Sequence, residues 1–241
     1  KTSTLAKSRK GRSVELLQVG QPGPDVQPVL ITGRHHAAET IASYVLEGFV
    51  EEAMSDSPDG KAFRNRYVLY AVPFVDKDGV EEGDQGKNRK PHDHNRDYGE
   101  KSIYPEVQAI KELDQDKNFK FALDFHCPTL VMPDHQVMYF VGAKQHPAHN
   151  FENVSEFARW IKDGLPVGAP VGPLVWLRDE SDSSPKNSRY FGFQDDVVMS
   201  ATIEIPFAPP GKKMDVASCR EYGRVMLRAF VATHFHEEQA P

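Results

Sequence analysis

Pro28-Val29-Leu30-Ile31-Thr32-Gly33-Arg34-His35-His36-Ala37-Ala38-Glu39-Thr40 joins two kinds of sequence. Val29 to Thr32 is a short, essentially apolar run, the pattern of a strand buried on both faces. After Thr40, Ile41, Tyr44, Val45, Gly48 and Phe49 recur at i, i+3, i+4, i+7 and i+8, with Leu46 and Val50 widening the stripe. That spacing predicts an amphipathic helix to Met54. A buried strand turning directly into a helix is the unit of an α/β sheet. The turn holds His36 and Glu39, three apart and so on one face of a starting helix. An imidazole and a carboxylate on one face are two ligands for a divalent ion, typically zinc. Such pairs also arise by chance, so the reading depends on what the rest of the chain adds.

The same alternation continues along the chain. Ser13 to Val19 alternates loosely up to Gly20 and reads as an edge strand. Gln21 to Asp25 is a turn. Tyr67 to Phe74 is another central strand, with Pro73 at its end. Asp76 to Lys101 is a polar connection of a length that is usually functional or disordered. Tyr104 to Leu113 is helical, Phe119 to Phe125 is a strand leading into His126, Gln136 to Val141 is a strand and Phe151 to Ile161 a helix. Gly164 to Lys186, with several Gly and Pro, reads as irregular surface loop. Val197 to Phe207 holds a strand centred on Thr202-Ile203-Glu204-Ile205, and Val216 to Thr233 is a last helix. The pattern implies a three-layer α/β/α fold around a mixed, largely parallel sheet, as one domain over residues 1–241. In such sheets sites lie at the carboxyl ends of strands.

The formal net charge is −6 with both signs interspersed, which argues against nucleic acid as the main partner. No apolar run approaches the ~20 residues that span a bilayer, so no membrane partner is expected. The expectation is a soluble protein, cytoplasmic or, if a leader was removed, periplasmic or secreted. The sequence sets neither that choice nor the oligomeric state. Cys127 and Cys219 give neither a disulfide framework nor zinc-ribbon spacing.

His126 follows a buried strand directly and is the third candidate ligand; taken alone it is equally a strand-end histidine bonded to backbone. Two His and one Glu with an open fourth position is a catalytic zinc set. Glu204 interrupts the apolar run Ala201 to Ile205. It is either an outward residue of an edge strand or a general base beside a metal. Arg89, Asn95 and Arg96 lie in the long polar segment. A guanidinium fork suits a carboxylate or an oxyanion, although such runs are more often solvated surface. The pairs His146/His149 and His234/His236 have metal-compatible spacing but sit in polar, surface-like stretches, and His35 points away from His36 as a structural residue.

Together these segments resemble the zinc carboxypeptidase family (the funnelin, or M14-type, metallopeptidases). His36-Ala37-Ala38-Glu39, preceded by Arg34, is similar to the family's His-x-x-Glu. Pro73-Phe74-Val75-Asp76-Lys77-Asp78-Gly79-Val80 resembles its Pro-x-x-Asn-Pro-Asp-Gly-Val turn. Arg89-Lys90 with Asp93-His94-Asn95-Arg96 resembles its Arg and Asp-x-Asn-Arg block. Phe125-His126-Cys127 matches the third ligand, Thr202-Ile203-Glu204 the catalytic glutamate, and Ser8-Arg9-Lys10-Gly11-Arg12 the Ser-x-x-Gly-Arg opening. The resemblance implies one zinc ion on His36, Glu39 and His126. It implies Glu204 as the base that activates water, Arg89 on the scissile carbonyl, and Asn95 and Arg96 on the substrate's terminal carboxylate. Asp93 would support His36, and Tyr190 is the candidate for a loop tyrosine that contacts substrate. Arg178 and Arg189 lie in the region where the family selects a side chain and would suit an acidic one. The implied substrate is a peptide cut at its C-terminal bond. The alternatives are an N-acyl amino acid, deacylated by a related zinc amidohydrolase, and a binding module of the same fold without catalysis. Ala37-Ala38 and Asp76-Lys77 depart from common family residues, and the chain is shorter than the usual catalytic domain.

Overall fold

The computed structural model describes residues 1–129, 136–142, 146–166, 169, 171–178, 184–207 and 214–234. The apolar runs become the middle of one sheet. Its strands are β1 (Thr2–Lys7), β2 (Ser13–Val19), β3 (Gln27–Gly33), β4 (Tyr67–Val72), β5 (Phe121–His126), β6 (Met138–Gly142), β7 (Val171–Arg178) and β8 (Met199–Glu204). They lie in the order β1-β2-β4-β3-β5-β8-β6-β7. The central four, β4, β3, β5 and β8, are mutually parallel. β2 runs antiparallel to β1 and β4, and β6 antiparallel to β8 and parallel to β7.

Alternation along the central strands feeds two cores. Val29 and Ile31, Leu69 and Ala71, and Leu123 and Phe125 face one layer, formed by α1 (Thr40–Met54), α2 (Pro58–Arg66), α5 (Ala148–Gly164) and α7 (Val216–Ala232). Leu30, Val68, Tyr70 and Ala122 face the other, with α4 (Pro105–Lys117) and α6 (Asn187–Gly192). This is the expected three-layer α/β/α arrangement around a mixed, largely parallel sheet. α1 and α7 meet at Gly48 and Gly223, where an added Cβ would fall 2.0 Å from Arg220 O and from Val45 O respectively. No helix among the described residues is long and apolar enough to cross a membrane.

Several expectations are corrected. Ser13–Val19 is not an edge strand: β1 covers it, and β1 is largely exposed and polar, which hid it from an apolar pattern. Residues 164–186 are not all loop, because Val171–Arg178 forms β7 at the other edge of the sheet. Pro173 is tolerated there because an edge strand need not donate every N–H. The polar segment after Asp76 contains α3 (Lys77–Glu82), with Asp76 Oδ1 accepting from Gly79 N at 2.8 Å and Gly83 in the left-handed region closing the helix. α2 starts behind Ser57, whose Oγ accepts from Gly60 N, with Pro58 in its first turn.

Candidate metal centre

Strand register levels the rim before any side chain is considered. Gly33 is paired with Phe125, Phe125 with Ile203, and His126 with Glu204. The three chains therefore leave the sheet side by side. Period-two alternation puts Asp124, His126, Thr202 and Glu204 on the face opposite Leu123, Phe125 and Ile203. After Gly33 the chain turns through Arg34, whose φ is +59°, into His36 and the start of α1. The Arg34 guanidinium braces this turn, bonding Ala37 O and, at 2.8 Å, Ser43 Oγ.

His36, Glu39 and His126 converge, and all three are buried. His36 Nδ1 lies 2.9 Å from Glu39 Oε1, His126 Nδ1 lies 2.8 Å from Glu39 Oε2, and the two Nδ1 atoms are 3.1 Å apart. Ligands with bonds of about 2.0–2.1 Å around a tetrahedral ion sit roughly 3.3 Å from one another. The donor set and its spacing thus fit zinc. Burial works to raise the Glu39 carboxyl, but His126 and His36 outweigh it and hold the carboxyl well below the usual range.

A second row of groups sets the imidazoles. Asp124 Oδ2 lies 2.7 Å from His126 Nε2, and Asp124 Oδ1 lies 2.7 Å from His35 Nδ1 and accepts from Thr32 Oγ1 at 2.8 Å. Burial disfavours the Asp124 charge, yet His126 and His35 keep the carboxyl far below its ordinary value. An ionised carboxylate only accepts, so Asp124 holds a proton on His126 Nε2, and Nδ1, whose proton Glu39 accepts at 2.8 Å, is the atom on which an ion would take the proton's place. His35 also reaches Tyr98 OH at 2.8 Å, and Asn187 Nδ2 donates to that oxygen at 3.0 Å. His35, Asp124 and His126 form a second trio within metal-binding range. Asp124 Oδ1 and His35 Nε2 are held from outside their trio by Thr32 and Tyr98, whereas His36 Nδ1 and His126 Nδ1 face one another and Glu39, so the His36 trio is the better metal site. Asp93 Oδ1 stands 3.6 Å from His36 Nε2, near enough to act as a charge but not to bond.

Glu204 stands beside this cluster in the direction of β6, where its strand partner is Tyr139. Its Oε2 is buried and lacks a hydrogen-bond partner among the described residues. Burial raises its carboxyl above the ordinary range, and Glu39 adds to the rise while His126, Lys87 and His36 oppose it.

The other expected residues divide. Asn95 is buried in a short 3-10 turn (His94–Arg96), with Nδ2 at 3.3 Å from His126 Nε2 and Oδ1 accepting from Asn187 N. Arg96 follows it, donating to Asn95 O at 3.2 Å. Arg89 does not turn to the cluster. Its fork is taken by Asp76, with bonds of 2.8 to 3.1 Å, and Asp84 lies 2.9 Å from Nη1. It lines a cavity of about 480 Å³ with Arg9, His94, Tyr104 and Glu106. Tyr190 is also turned away: its hydroxyl donates to Asp114 Oδ2 at 3.1 Å within the α4 layer. Arg189 lies over the Phe193 ring, while the Arg178 side chain and His236 fall outside the described residues. His146 and His149 are buried rather than superficial; His149 Nε2 lies 3.1 Å from Val197 O.

Asp124, Tyr98 and Lys87 were not singled out from sequence. Asp124 had a readable signal, a carboxylate within an apolar strand and two residues before His126, hence on the same face. Lys87 had none, being one cation in a polar segment. Its Nζ lies 3.1 Å from Glu39 Oε1.

Comparison with known proteins agrees with this fold. Residues 1–169 match the family model described as "Zinc carboxypeptidase". Cytosolic carboxypeptidase 2 of Xenopus tropicalis is 29% identical over 159 residues, covering 61% of this chain and 16% of that protein. The human protein of the same name is 30% identical over 138 residues, covering 52% of this chain and 15% of its own length. The crystal structure of a metallo-carboxypeptidase from Burkholderia cenocepacia has a TM-score of 0.80 at 22% identity, over 96% of this chain and 63% of that one. A metallo-carboxypeptidase from Pseudomonas aeruginosa, in complex with (2-guanidinoethylmercapto)succinic acid, has a TM-score of 0.77 at 20% identity, over 95% and 64%. The chain thus spans under a fifth of these curated relatives and under two thirds of these solved chains. The family match takes in His36, Glu39 and His126 and ends before Glu204. By that match the chain belongs to the zinc carboxypeptidase family of zinc-dependent metallopeptidases.

Proposed function

We propose that this chain hydrolyses the C-terminal bond of a peptide at the His36, Glu39 and His126 cluster, with Glu204 as general base. The observation that carries the reading is Glu204, a half-buried residue level with His126 whose Oε2 is buried and has no hydrogen-bond partner among the described residues. A group kept so is costly unless it is used. Zinc on His36, Glu39 and His126 would supply a Lewis acid that polarises a carbonyl and lowers the pKa of water. Glu204 takes a proton from the attacking water as the water oxygen bonds to the carbonyl carbon. It returns that proton to the amide nitrogen as the C–N bond breaks, leaving a shortened peptide and a free amino acid. Its raised carboxyl suits both halves of that transfer. Asn95, beside His126, and Arg96 hold the terminal carboxylate and confine cleavage to the last bond.

The test is Glu204→Gln in zinc-loaded protein, assayed on acylated dipeptides with free C-termini and on N-acyl amino acids. The expected loss in kcat is about 10²–10⁴-fold with zinc content unchanged. Equal activity in the two proteins would sink the role of Glu204. Faster turnover of N-acyl amino acids than of dipeptides would replace peptides with those substrates.

A further inference from the structure

We propose that the cavity walled by Arg9, Lys90, His94 and Glu106 is a binding site for a small zwitterion of the free amino acid class, separate from the metal cluster. The cavity, about 480 Å³, lies between the turn after β1, the start of α3, a strap over residues 84–90 and the first turn of α4. Small-molecule sites have volumes of this order. The strap divides it from the cluster. A Cβ on Gly86 would fall 2.4 Å from Ala37 N and 2.8 Å from His36 Cα, and Ala38 N donates to Gln85 O at 3.1 Å. The strap is thus pressed against the turn carrying His36 and Glu39, and an occupant of the cavity lies on its other side.

Most of the carboxylates around the cavity are already matched. Asp76 holds the Arg89 fork, Asp84 lies 2.9 Å from Arg89 Nη1, and Asp78 takes Ser8, Lys10 N and Arg12. The Lys10 ammonium is held by both oxygens of Glu82. Two cations are left over. Arg9 donates from Nη2 to Ile103 O at 3.1 Å and lies 4.5 Å over the Tyr104 ring, and neither it nor Lys90 has a carboxylate partner among the described residues.

Two orphaned atoms share the cavity wall with these cations. His94 and Glu106 are both buried, and His94 Nε2 lies 2.8 Å from Glu106 Oε1. That contact uses one end of each group. His94 Nδ1 and Glu106 Oε2 have no hydrogen-bond partner among the described residues, and Asp76 Oδ2, 3.9 Å from His94 Nδ1, is too far to bond. Tyr104, stacked on the His94 ring at 3.7 Å, gives its hydroxyl to His92 O instead. Buried polar atoms left unmet are costly, and they mark the place of a missing water, ion or ligand. The leftover groups specify its chemistry. A guanidinium and an ammonium call for a carboxylate. A carboxylate oxygen without a donor disfavours a pure anion and calls for an N–H, best a charged one. A free amino acid carries both ends, its carboxylate for Arg9 and Lys90 and its ammonium for Glu106.

The zinc-loaded protein can be titrated calorimetrically with L-alanine, β-alanine and 4-aminobutyrate, whose charges stand at increasing separations, and with butyrate and butylamine, which each keep one charge. The best of the three amino acids should bind with Kd below about 1 mM. Butyrate and butylamine should bind at least about 10-fold more weakly than that ligand. Arg9→Met and Glu106→Gln should each weaken it about 10-fold or more, with zinc content unchanged. Arg9 is a surface residue, so Arg9→Met keeps the test decisive if Glu106→Gln fails to fold. No amino acid binding below about 10 mM would overturn the proposal. So would equal binding of butyrate, which would leave the two orphaned atoms to ordered water. Undiminished affinity in Arg9→Met would overturn it too, by placing the ligand elsewhere, the metal cluster included.

Discussion

Asp124 holds two imidazoles at the base of the site. Its oxygens take His126, His35 and the Thr32 hydroxyl at 2.7–2.8 Å, and it is fully buried. Asparagine keeps the shape but replaces one acceptor with a donor, so one histidine must change tautomer or lose its bond. Asp124→Asn is expected to weaken zinc binding about 10–100-fold, read by competition with a chromophoric chelator. Unchanged zinc affinity would mean that His126 is oriented by something else. At this scale the sequence was legible where a residue type was out of place. His36 and Glu39 stand together on a turn, His126 follows an apolar strand, and Glu204 interrupts another. Lys87 and Arg89 were not separable, because neighbouring cations in one polar loop differ only in which carboxylates the fold brings to them.

The elements around the site are tied by polar contacts as much as by apolar packing. Asp78 on α3 accepts from Ser8 Oγ at 2.7 Å, Lys10 N at 3.1 Å and Arg12 Nη1 at 2.8 Å. The Ser8 to Arg12 stretch is thus the clamp that holds the turn between β1 and β2 against α3. Burial works against the Asp78 charge, but Ser8, Arg12 and Lys10 overcome it and lower the carboxyl below its ordinary 3.8. A depressed carboxyl contributes its full stability above the unfolded value and loses it as pH falls through the folded one. Asp78→Asn should therefore cost roughly 1–3 kcal/mol at neutral pH, and the gap to wild type should close as pH drops below about 4. Urea melts of both proteins across that range measure it, and a gap that stays constant would exclude the clamp. The strands with continuous apolar runs and the helices with regular stripes were legible in sequence. The pieces that escaped were β1 and β7 at the edges and the short helices α2, α3 and α6, where capping and pairing to a neighbour outweigh periodicity.

For the molecule as a whole, the candidate metal centre is the place where the sheet and one helix layer meet. His126 ends β5 in the middle of the sheet, and His36 and Glu39 lie on the turn into α1, which packs on α7 through Gly48 and Gly223. Without an ion, two imidazoles and a carboxylate are confined together out of solvent, and only the native fold assembles them. A ligand that binds the native state alone stabilises it by RT ln(1 + [L]/Kd), about 2.7 kcal/mol at a hundredfold excess over Kd. For a chain of 241 residues that corresponds to a Tm rise of roughly 5–10 °C. Chelator-treated protein should therefore melt lower and recover on adding Zn²⁺, and Mg²⁺ at the same concentration should do little, because it prefers oxygen ligands in octahedral geometry. Hydrogen exchange should slow most at the carboxyl ends of β3 and β5 and in the turn into α1, where the ion would join the chain segments. A Tm indifferent to Zn²⁺, or raised equally by Mg²⁺, would remove the metal from this site. Stabilisation by Zn²⁺ that persists in the double variant His36→Ala, His126→Ala would move the ion elsewhere in the molecule.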